Sequence, residues 1–220
     1  GVHTLPIAAA EVSLRGNRRS ARTRVARGLE RCPLNEMPPE SRPYANLAWA
    51  YAAAGDSAEA RALLSAFEAA FPLDLRHHTE HLAYRIARAE LALSEGRAQD
   101  AVHEAQVLEQ QPLCWYNLCD VNASLLKARA FDLAGSTDSA LVYYERYLHA
   151  PGHIRVWPDS YWLGPIYERL AGLYAARGQP EDEARYLDLV IDLGKDGDAE
   201  LQPRVDAARQ RLGLIAASRG

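Results

Sequence analysis

The sequence predicts an all-α fold, a right-handed α-solenoid of about five helical hairpins followed by a C-terminal capping helix. Alanine supplies 39 of the 220 residues, whereas valine, isoleucine and threonine together supply only 20, too few for a large sheet. Glycine recurs with gaps of 39, 41, 39 and 43 residues, and similar residue types surround each copy, which is typical of a repeat protein. The five recurring glycines are Gly16, Gly55, Gly96, Gly135 and Gly178.

The composition excludes several other classes of protein. Charged residues make up 25% of the chain and apolar residues 48%, which is typical of a globular protein and not of a disordered one. The net charge of -4 argues against a body built to bind nucleic acid. The longest apolar run, near residues 47–54, is much shorter than the roughly 20 residues that span a bilayer. We therefore expect no part of the given sequence to insert into a membrane.

Each repeat predicts a pair of packed helices joined by a glycine turn. Alanine stands seven residues before every glycine and five residues after the first four, where a small side chain lets two helices approach closely. The glycine ends the first helix where a left-handed residue is needed, and a proline follows the second helix in the first four repeats. Four residues then offer N-caps for second helices: Asp56, Ser57, Ser136 and Thr137.

These signals predict one solenoid over residues 1–220. Its hairpins lie at about 3–30, 41–70, 79–110, 120–149 and 163–194, and its cap at about 199–216. The third repeat is weaker, because Arg85 and Arg88 occupy positions that are apolar elsewhere. The fifth repeat has Glu183 where the others have alanine. A linker is predicted from Pro151 to Pro165, with Trp157, Tyr161 and Trp162 packed beneath it or forming a contact patch.

The columns of the alignment resemble the tetratricopeptide repeat. Its pattern of large, Leu, small, aromatic, glycine, alanine and proline is matched in the second repeat, and residues 167–178 (YERLAGLYAARG) match it equally well. The period is nearer 40 residues than the usual 34, and Phe67, Leu108 and Tyr147 stand where that family has a small residue. The matching residues of the second repeat are Tyr44, Leu47, Ala48, Tyr51, Gly55, Ala60, Leu64 and Pro72.

A narrower resemblance concerns the C-terminal repeat region of bacterial serine/threonine kinases and related signalling proteins. It is carried by three segments, beginning PPESRPYANLAWAYAAAGD, FDLAGSTDSALVYYERYL and YWLGPIYERLAGLYAARGQ. The chain has no glycine-rich loop and no motif of a kinase catalytic domain. The resemblance therefore implies the sensor or docking region of a larger signalling protein, without its enzyme.

The resemblance implies a binding surface on the first helices of the hairpins, which line the concave side of such stacks. Positions 13, 10, 6 and 3 residues before each glycine are then expected to face a protein or peptide partner. Trp49 is the aromatic anchor of this groove, or it packs against a linker or the first repeat. The candidate binding residues are Arg42, Trp49, Glu90, Asn122, Arg129, Asp132 and Glu168.

The alternative function is structural, a solenoid that self-assembles into homo-oligomers or filaments. Exposed solenoid ends can stack head to tail, and a contact that does not close builds a filament. The basic stretch from Arg15 to Arg31 and the acidic remainder of the chain suit that polarity. The same basic stretch is otherwise a solvated helix face or a contact for an acidic partner.

The sequence favours no enzyme, metal or cofactor. No serine stands in a nucleophile motif, and no glycine-rich phosphate loop is present. His77 and His81 have a spacing that can hold a metal on a helix, but a solvated helix start is the simpler interpretation. Cys114 and Cys119 form a disulfide or stay reduced, depending on a compartment that the sequence leaves open as cytoplasmic or extracytoplasmic.

Overall fold

The structure, a computed structural model, describes residues 12, 16–71, 78–110 and 118–218. These residues form ten α-helices and two short 3-10 helices, at Leu34–Glu36 and Pro39–Ser41, and no strand, so the all-α prediction is confirmed for them. The α-helices are α1 (Arg18–Arg31), α2 (Tyr44–Ala53), α3 (Ser57–Ala70), α4 (His78–Ser94), α5 (Ala98–Glu109), α6 (Leu118–Leu133), α7 (Thr137–His149), α8 (Gly152–Ala176), α9 (Pro180–Gly194) and α10 (Gln202–Ala217).

The recurring glycines form the turns, as their spacing predicts. All five have a positive φ, between 63° and 78°, a conformation that a side chain disfavours. In the last four turns the glycine N–H donates to the carbonyl three residues earlier, and the next N–H donates to the carbonyl five residues earlier, at 2.8–3.1 Å. This pair of hydrogen bonds satisfies carbonyls at the end of the first helix, so one local device sets the turn in four repeats.

The recurring alanines lie where helices contact each other. Within hairpins, α2 packs on α3, α4 on α5 and α6 on α7, and between hairpins α2 packs on α4 and α4 on α6. The described alanines before and after the glycines are all buried, so a larger side chain at these positions would push the helices apart. They are Ala21, Ala48, Ala60, Ala89, Ala101, Ala128, Ala140 and Ala171.

The described chain divides into two compact units. The first comprises residues 16–155 together with Val12, and the second comprises residues 156–218, so the division falls inside α8. In the first unit α1–α7 pack in sequence order, and in the second unit α9 packs on α10. The single solenoid over residues 1–220 stays a prediction.

The predicted linker from Pro151 to Pro165 is wrong, because α8 is helical from Gly152 to Ala176. The prolines predict a linker, since an interior proline cannot donate the helical hydrogen bond. Pro158 and Pro165 nevertheless lie inside the helix, where buried side chains such as Leu170 hold it against its neighbours. Helices are stabilised mainly by such packing, which here outweighs the two missing bonds.

The predicted N-caps are correct in position but not in chemistry. Asp56 and Ser136 occupy the N-cap positions of α3 and α7, yet neither side chain caps its helix. Their backbone N–H groups instead close the preceding glycine turns. A side-chain cap is present at α1, where Asn17 Oδ1 accepts from the Ser20 N–H at 2.9 Å.

Candidate functional site

The strongest arrangement among the predicted binding residues is an ion pair between neighbouring first helices. Trp49, Glu90 and Arg129 stand six residues before their glycines on α2, α4 and α6. The two terminal nitrogens of Arg129 each donate to one carboxylate oxygen of Glu90, with Nη2 2.9 Å from Oε2. Glu90 is only 4% exposed, so its charge depends on this partner.

The charge of Arg129 is held in place by the same contact. Burial by itself would lower the pKa of Arg129, but the charge of Glu90 and the hydrogen bonds to it raise that pKa above its ordinary value. The guanidinium of Arg129 therefore stays charged, and its contact with Glu90 joins the third hairpin to the fourth.

Trp49 continues this column on α2. Its side chain is half-buried and packs against the cluster that contains Tyr44, Phe67 and Tyr84. The indole thus has one packed side and one solvent-facing side, the arrangement of an aromatic contact residue at an interface. We name the surface formed by Trp49, Glu90 and Arg129 on α2, α4 and α6 the first-helix surface.

Two other predicted residues bond within their own segments. Arg42 donates from Nε to the Met37 carbonyl at 2.9 Å and from Nη1 to the Tyr44 hydroxyl at 3.1 Å. Asn122 donates from Nδ2 to the Leu118 carbonyl, one helical turn earlier, at 2.8 Å. Both side chains are half-buried, so part of each still faces solvent.

The last two predicted residues lie at the end of α6 and in the second unit. Asp132 is half-buried, and its backbone carbonyl accepts the Gly135 N–H of the turn. Glu168 lies on α8 with its carboxylate 3.5 Å from Arg204 on α10. Burial raises the pKa of Glu168, and the charge of Arg204 opposes that rise.

A polar network between α3, α4 and α5 was not predicted from the sequence. Glu104 accepts from Arg85 Nη1 at 2.7 Å and from Arg88 Nε at 2.6 Å, and its side chain is almost fully buried. Arg88 Nη1 also donates to the Tyr84 hydroxyl, which in turn donates to Glu68. The two arginines that weaken the third repeat are therefore the signal from which this network could have been found.

A pocket of about 450 Å³ lies beside this network, a volume within the range of ligand sites. Leu64 and Leu91 supply apolar walls, and Arg61, Arg88 and Glu104 supply charged ones. All three arginines that line this pocket are already in ion pairs: Arg61 with Glu95, Arg88 with Glu104 and Arg97 with Asp100. The pocket is walled by α3, α4 and α5, and its lining includes neither Trp49 nor Arg129.

A second ionic network links α5, α6 and α7. Lys127 on α6 is buried and pairs with Glu109 on α5, and Arg146 on α7 pairs with the same carboxylate at 2.8 Å. The Lys127 ammonium also lies 5.2 Å from the centre of the Tyr143 ring. Each of these three charged side chains has a partner within the network, so we interpret the network as structural.

Corresponding positions meet at three successive junctions between hairpins. The residue eight places before a glycine meets the residue thirteen places after the preceding glycine, as an apolar or an ionic pair. An apolar pair and an ion pair can replace each other at such a site, because the two side chains of an ion pair neutralise each other and an apolar pair carries no charge. The pairs are Leu47 with Leu29 in one apolar cluster, Arg88 with Glu68 at 3.5 Å, and Lys127 with Glu109.

Replacing Glu109 by glutamine is expected to lower stability at neutral pH and not in acid. Burial would raise the pKa of Glu109, but the hydrogen bond and charge of Lys127, with Arg146, lower it below the ordinary value. A carboxyl with a lowered folded-state pKa stabilises the fold above its unfolded pKa, and this contribution is lost as the pH falls through the folded-state pKa. Denaturant unfolding of wild type and Glu109→Gln across this range measures the difference, and a gap that persists in acid contradicts the assignment.

The exception in the fifth repeat also has a partner. Glu183 replaces the usual alanine and is buried, and Arg211 on α10 donates to it from Nε at 2.5 Å and Nη2 at 3.1 Å. The helix that packs here is the final one, so the fifth hairpin uses an ion pair where earlier hairpins use a small side chain.

The remaining candidates are partly outside the described residues. His77 and Cys114 lie there, while Cys119 is disulfide-bonded and Cys32 is exposed with a free thiol. Within the described ranges no group of three His, Cys, Asp or Glu side chains is placed to hold a metal ion. In the same ranges, no helix combines the length and apolarity needed to cross a membrane.

Comparison with known proteins adds no family assignment. No protein-family model matches the sequence, and no curated protein matches it significantly.

Proposed function

We propose that this chain is a non-catalytic module of tetratricopeptide-like repeats that binds a protein or peptide segment on its first-helix surface. The observation that carries the proposal is the packing of α2, α4 and α6 side by side, with Trp49, Glu90 and Arg129 at the same position of each. A half-buried aromatic side chain beside a fixed pair of opposite charges suits recognition of an extended peptide. The sequence resemblance to kinase repeat regions favours a partner in signalling.

A peptide can use the two parts of this surface differently. Apolar side chains of the peptide would pack against the open side of Trp49, which supplies contact area at a low cost in conformational entropy. The Glu90 and Arg129 pair presents mainly the guanidinium of Arg129, whose side chain is 21% exposed, because Glu90 is buried. That guanidinium is a fixed polar site rather than a free charge, since each group already satisfies the other. We therefore expect specificity to come from the anchor and from the geometry of the pair.

The proposal is tested by selecting binding peptides from a displayed library and measuring their affinity by fluorescence polarisation. Trp49→Ala is expected to weaken the selected peptides by about tenfold or more, the usual effect of losing an interface anchor. The exchanged pair Glu90→Arg with Arg129→Glu keeps one ion pair between the helices but reverses its polarity, and it should also weaken binding. Circular dichroism checks that each variant keeps its helices.

A matched control separates this surface from the pocket lined by α3, α4 and α5. Ser65 is exposed on α3 and lines the pocket, so Ser65→Trp obstructs it without touching Trp49 or Arg129. Peptide binding that survives Ser65→Trp and is lost with Trp49→Ala supports the proposal. Binding that is lost only with Ser65→Trp, or a library that yields no binder, refutes it.

A further inference from the structure

A strongly basic face is formed by the exposed side of α1. This helix of 14 residues contains six arginines and one glutamate, a net charge of +5, whereas the other 206 residues of the chain carry -9. Ala21 and Val25 are buried on the opposite side, where α1 packs on α2. The basic face therefore points away from the core that holds the helix.

Most of these arginines have no acidic partner within the part of the chain that the structure describes. Arg19, Arg22, Arg27 and Arg31 are exposed and form no ion pair with another described residue. Arg18 differs, because its guanidinium lies beside the turn at Gly55. Neighbouring unpaired arginines on one helix repel each other, so an anionic partner would relieve a cost that the isolated chain carries.

A complementary acidic surface lies on α9 and the residues that follow it. Residues 180–200 contain eight acidic and two basic residues, a net charge of -6. Glu183 is buried against Arg211, whereas Asp188, Asp192 and Asp196 are exposed and follow each other at intervals of four residues. That interval places Asp188 and Asp192 on one side of α9, opposite the side on which Tyr186 and Val190 are buried, and Asp196 lies in the turn that follows the helix.

We propose that the basic face of α1 binds the acidic face of α9 in a second copy of this chain. The two helices are of similar length, 14 and 15 residues, and the net charge of +5 on α1 nearly cancels the -6 of residues 180–200. A nucleic acid or an anionic membrane would also meet the remaining -9 of the chain, which opposes their approach. A second copy supplies the acidic face itself and thereby offsets that repulsion.

This contact joins different surfaces of two identical chains. Each chain that binds through α1 leaves its own α9 free, and the reverse also holds, so the contact can extend to longer assemblies. It does not involve the first-helix surface, and it goes beyond peptide binding and stands or falls separately from it.

Analytical ultracentrifugation of the full chain tests the proposal. At about 0.01 M salt, where charges act over about 30 Å, the sedimentation coefficient should rise with protein concentration, and at about 1 M salt, where the range is about 3 Å, it should not. Two neutralised variants should each associate at least about tenfold more weakly than wild type. One combines Arg19→Gln, Arg22→Gln and Arg27→Gln, and the other combines Asp188→Asn, Asp192→Asn and Asp196→Asn.

Mixing the two neutralised variants gives the decisive result. One variant keeps its acidic face and the other keeps its basic face, so an equal mixture should form dimers that cannot extend. As a control of opposite sign, Lys195→Gln removes a cation beside Asp192 and should strengthen association of the otherwise native chain.

Three outcomes would overturn the proposal. The first is a wild-type chain that stays monomeric at every concentration in low salt. The second is association that neither neutralised variant weakens. The third is a monomeric chain whose α1 arginines bind duplex DNA or anionic vesicles at physiological salt, which would assign the basic face to another class of partner.

Discussion

Replacing Phe67 by alanine is expected to lower the free energy of unfolding by about 3–5 kcal/mol. Phe67 is fully buried on α3, and its ring stacks on Tyr84 of α4 with centroids 5.1 Å apart. A second ring, that of Phe71, lies at the same centroid distance. Alanine would leave a cavity at the contact between the second and third hairpins, which these rings fill from both sides.

This substitution also tests how far the resemblance to the tetratricopeptide repeat extends. That family has a small residue at this position, so a chain that packed in the same way would accept Phe67→Ala with little loss. Here the stacked rings hold the hairpins together, and the same substitution is expected to be among the most destabilising.

Denaturant unfolding followed by circular dichroism measures the effect of Phe67→Ala. Phe71→Ala serves as a matched control, because Phe71 is only half-buried and its loss should cost less. A Phe67→Ala variant as stable as wild type, or less affected than Phe71→Ala, would show that the hairpins can close the gap by moving together.

The repeat could be predicted from the sequence because its determinants are local. A residue such as Gly135 is fixed by the left-handed conformation of one turn, and Ala128 by the closeness of two adjacent helices. Each constraint acts within a few residues along the chain, so it leaves a periodic mark that spacing reveals. The burial of Tyr147 and Val190 at corresponding places of two repeats follows from the same periodicity.

The contacts between hairpins could not be predicted in the same way. Arg88 and Lys127 interrupt the apolar stripe, and their partners Glu68 and Glu109 belong to the preceding hairpin, across a linker. The sequence records the charge at each position but not which position of the neighbour meets it. Only the packing of the helices shows that one pair of positions carries apolar and ionic contacts alike.

The candidate site could also be predicted only in part. The spacing places Trp49, Glu90 and Arg129 in one column, but it does not show that Glu90 and Arg129 satisfy each other. The helix across Pro158 cannot be predicted for a related reason. Its two prolines indicate a linker, whereas the burial that stabilises the helix is visible only in the packed structure. Spacing thus predicts where side chains stand, and long-range packing decides what they bind.

Replacing Arg129 by methionine is expected to destabilise the first unit by about 3–5 kcal/mol. The substitution keeps most of the side-chain volume but leaves the carboxylate of Glu90, which is 4% exposed, without its cation. A buried charge that loses its partner carries the full cost of desolvation. Adding Glu90→Gln removes that charge, so the double variant should recover much of the lost stability.

The control for this prediction is Arg146→Met. Arg146 is about half-exposed, and the carboxylate it contacts, Glu109, keeps Lys127 as a partner, so the loss should stay within about 1 kcal/mol. Denaturant unfolding of wild type, Arg129→Met, Glu90→Gln and the double variant gives the coupling energy between Glu90 and Arg129. A coupling energy near zero would mean that Glu90 reaches water when Arg129 is removed. Each of the two residues would then be free to exchange the other for a charged group of a bound peptide.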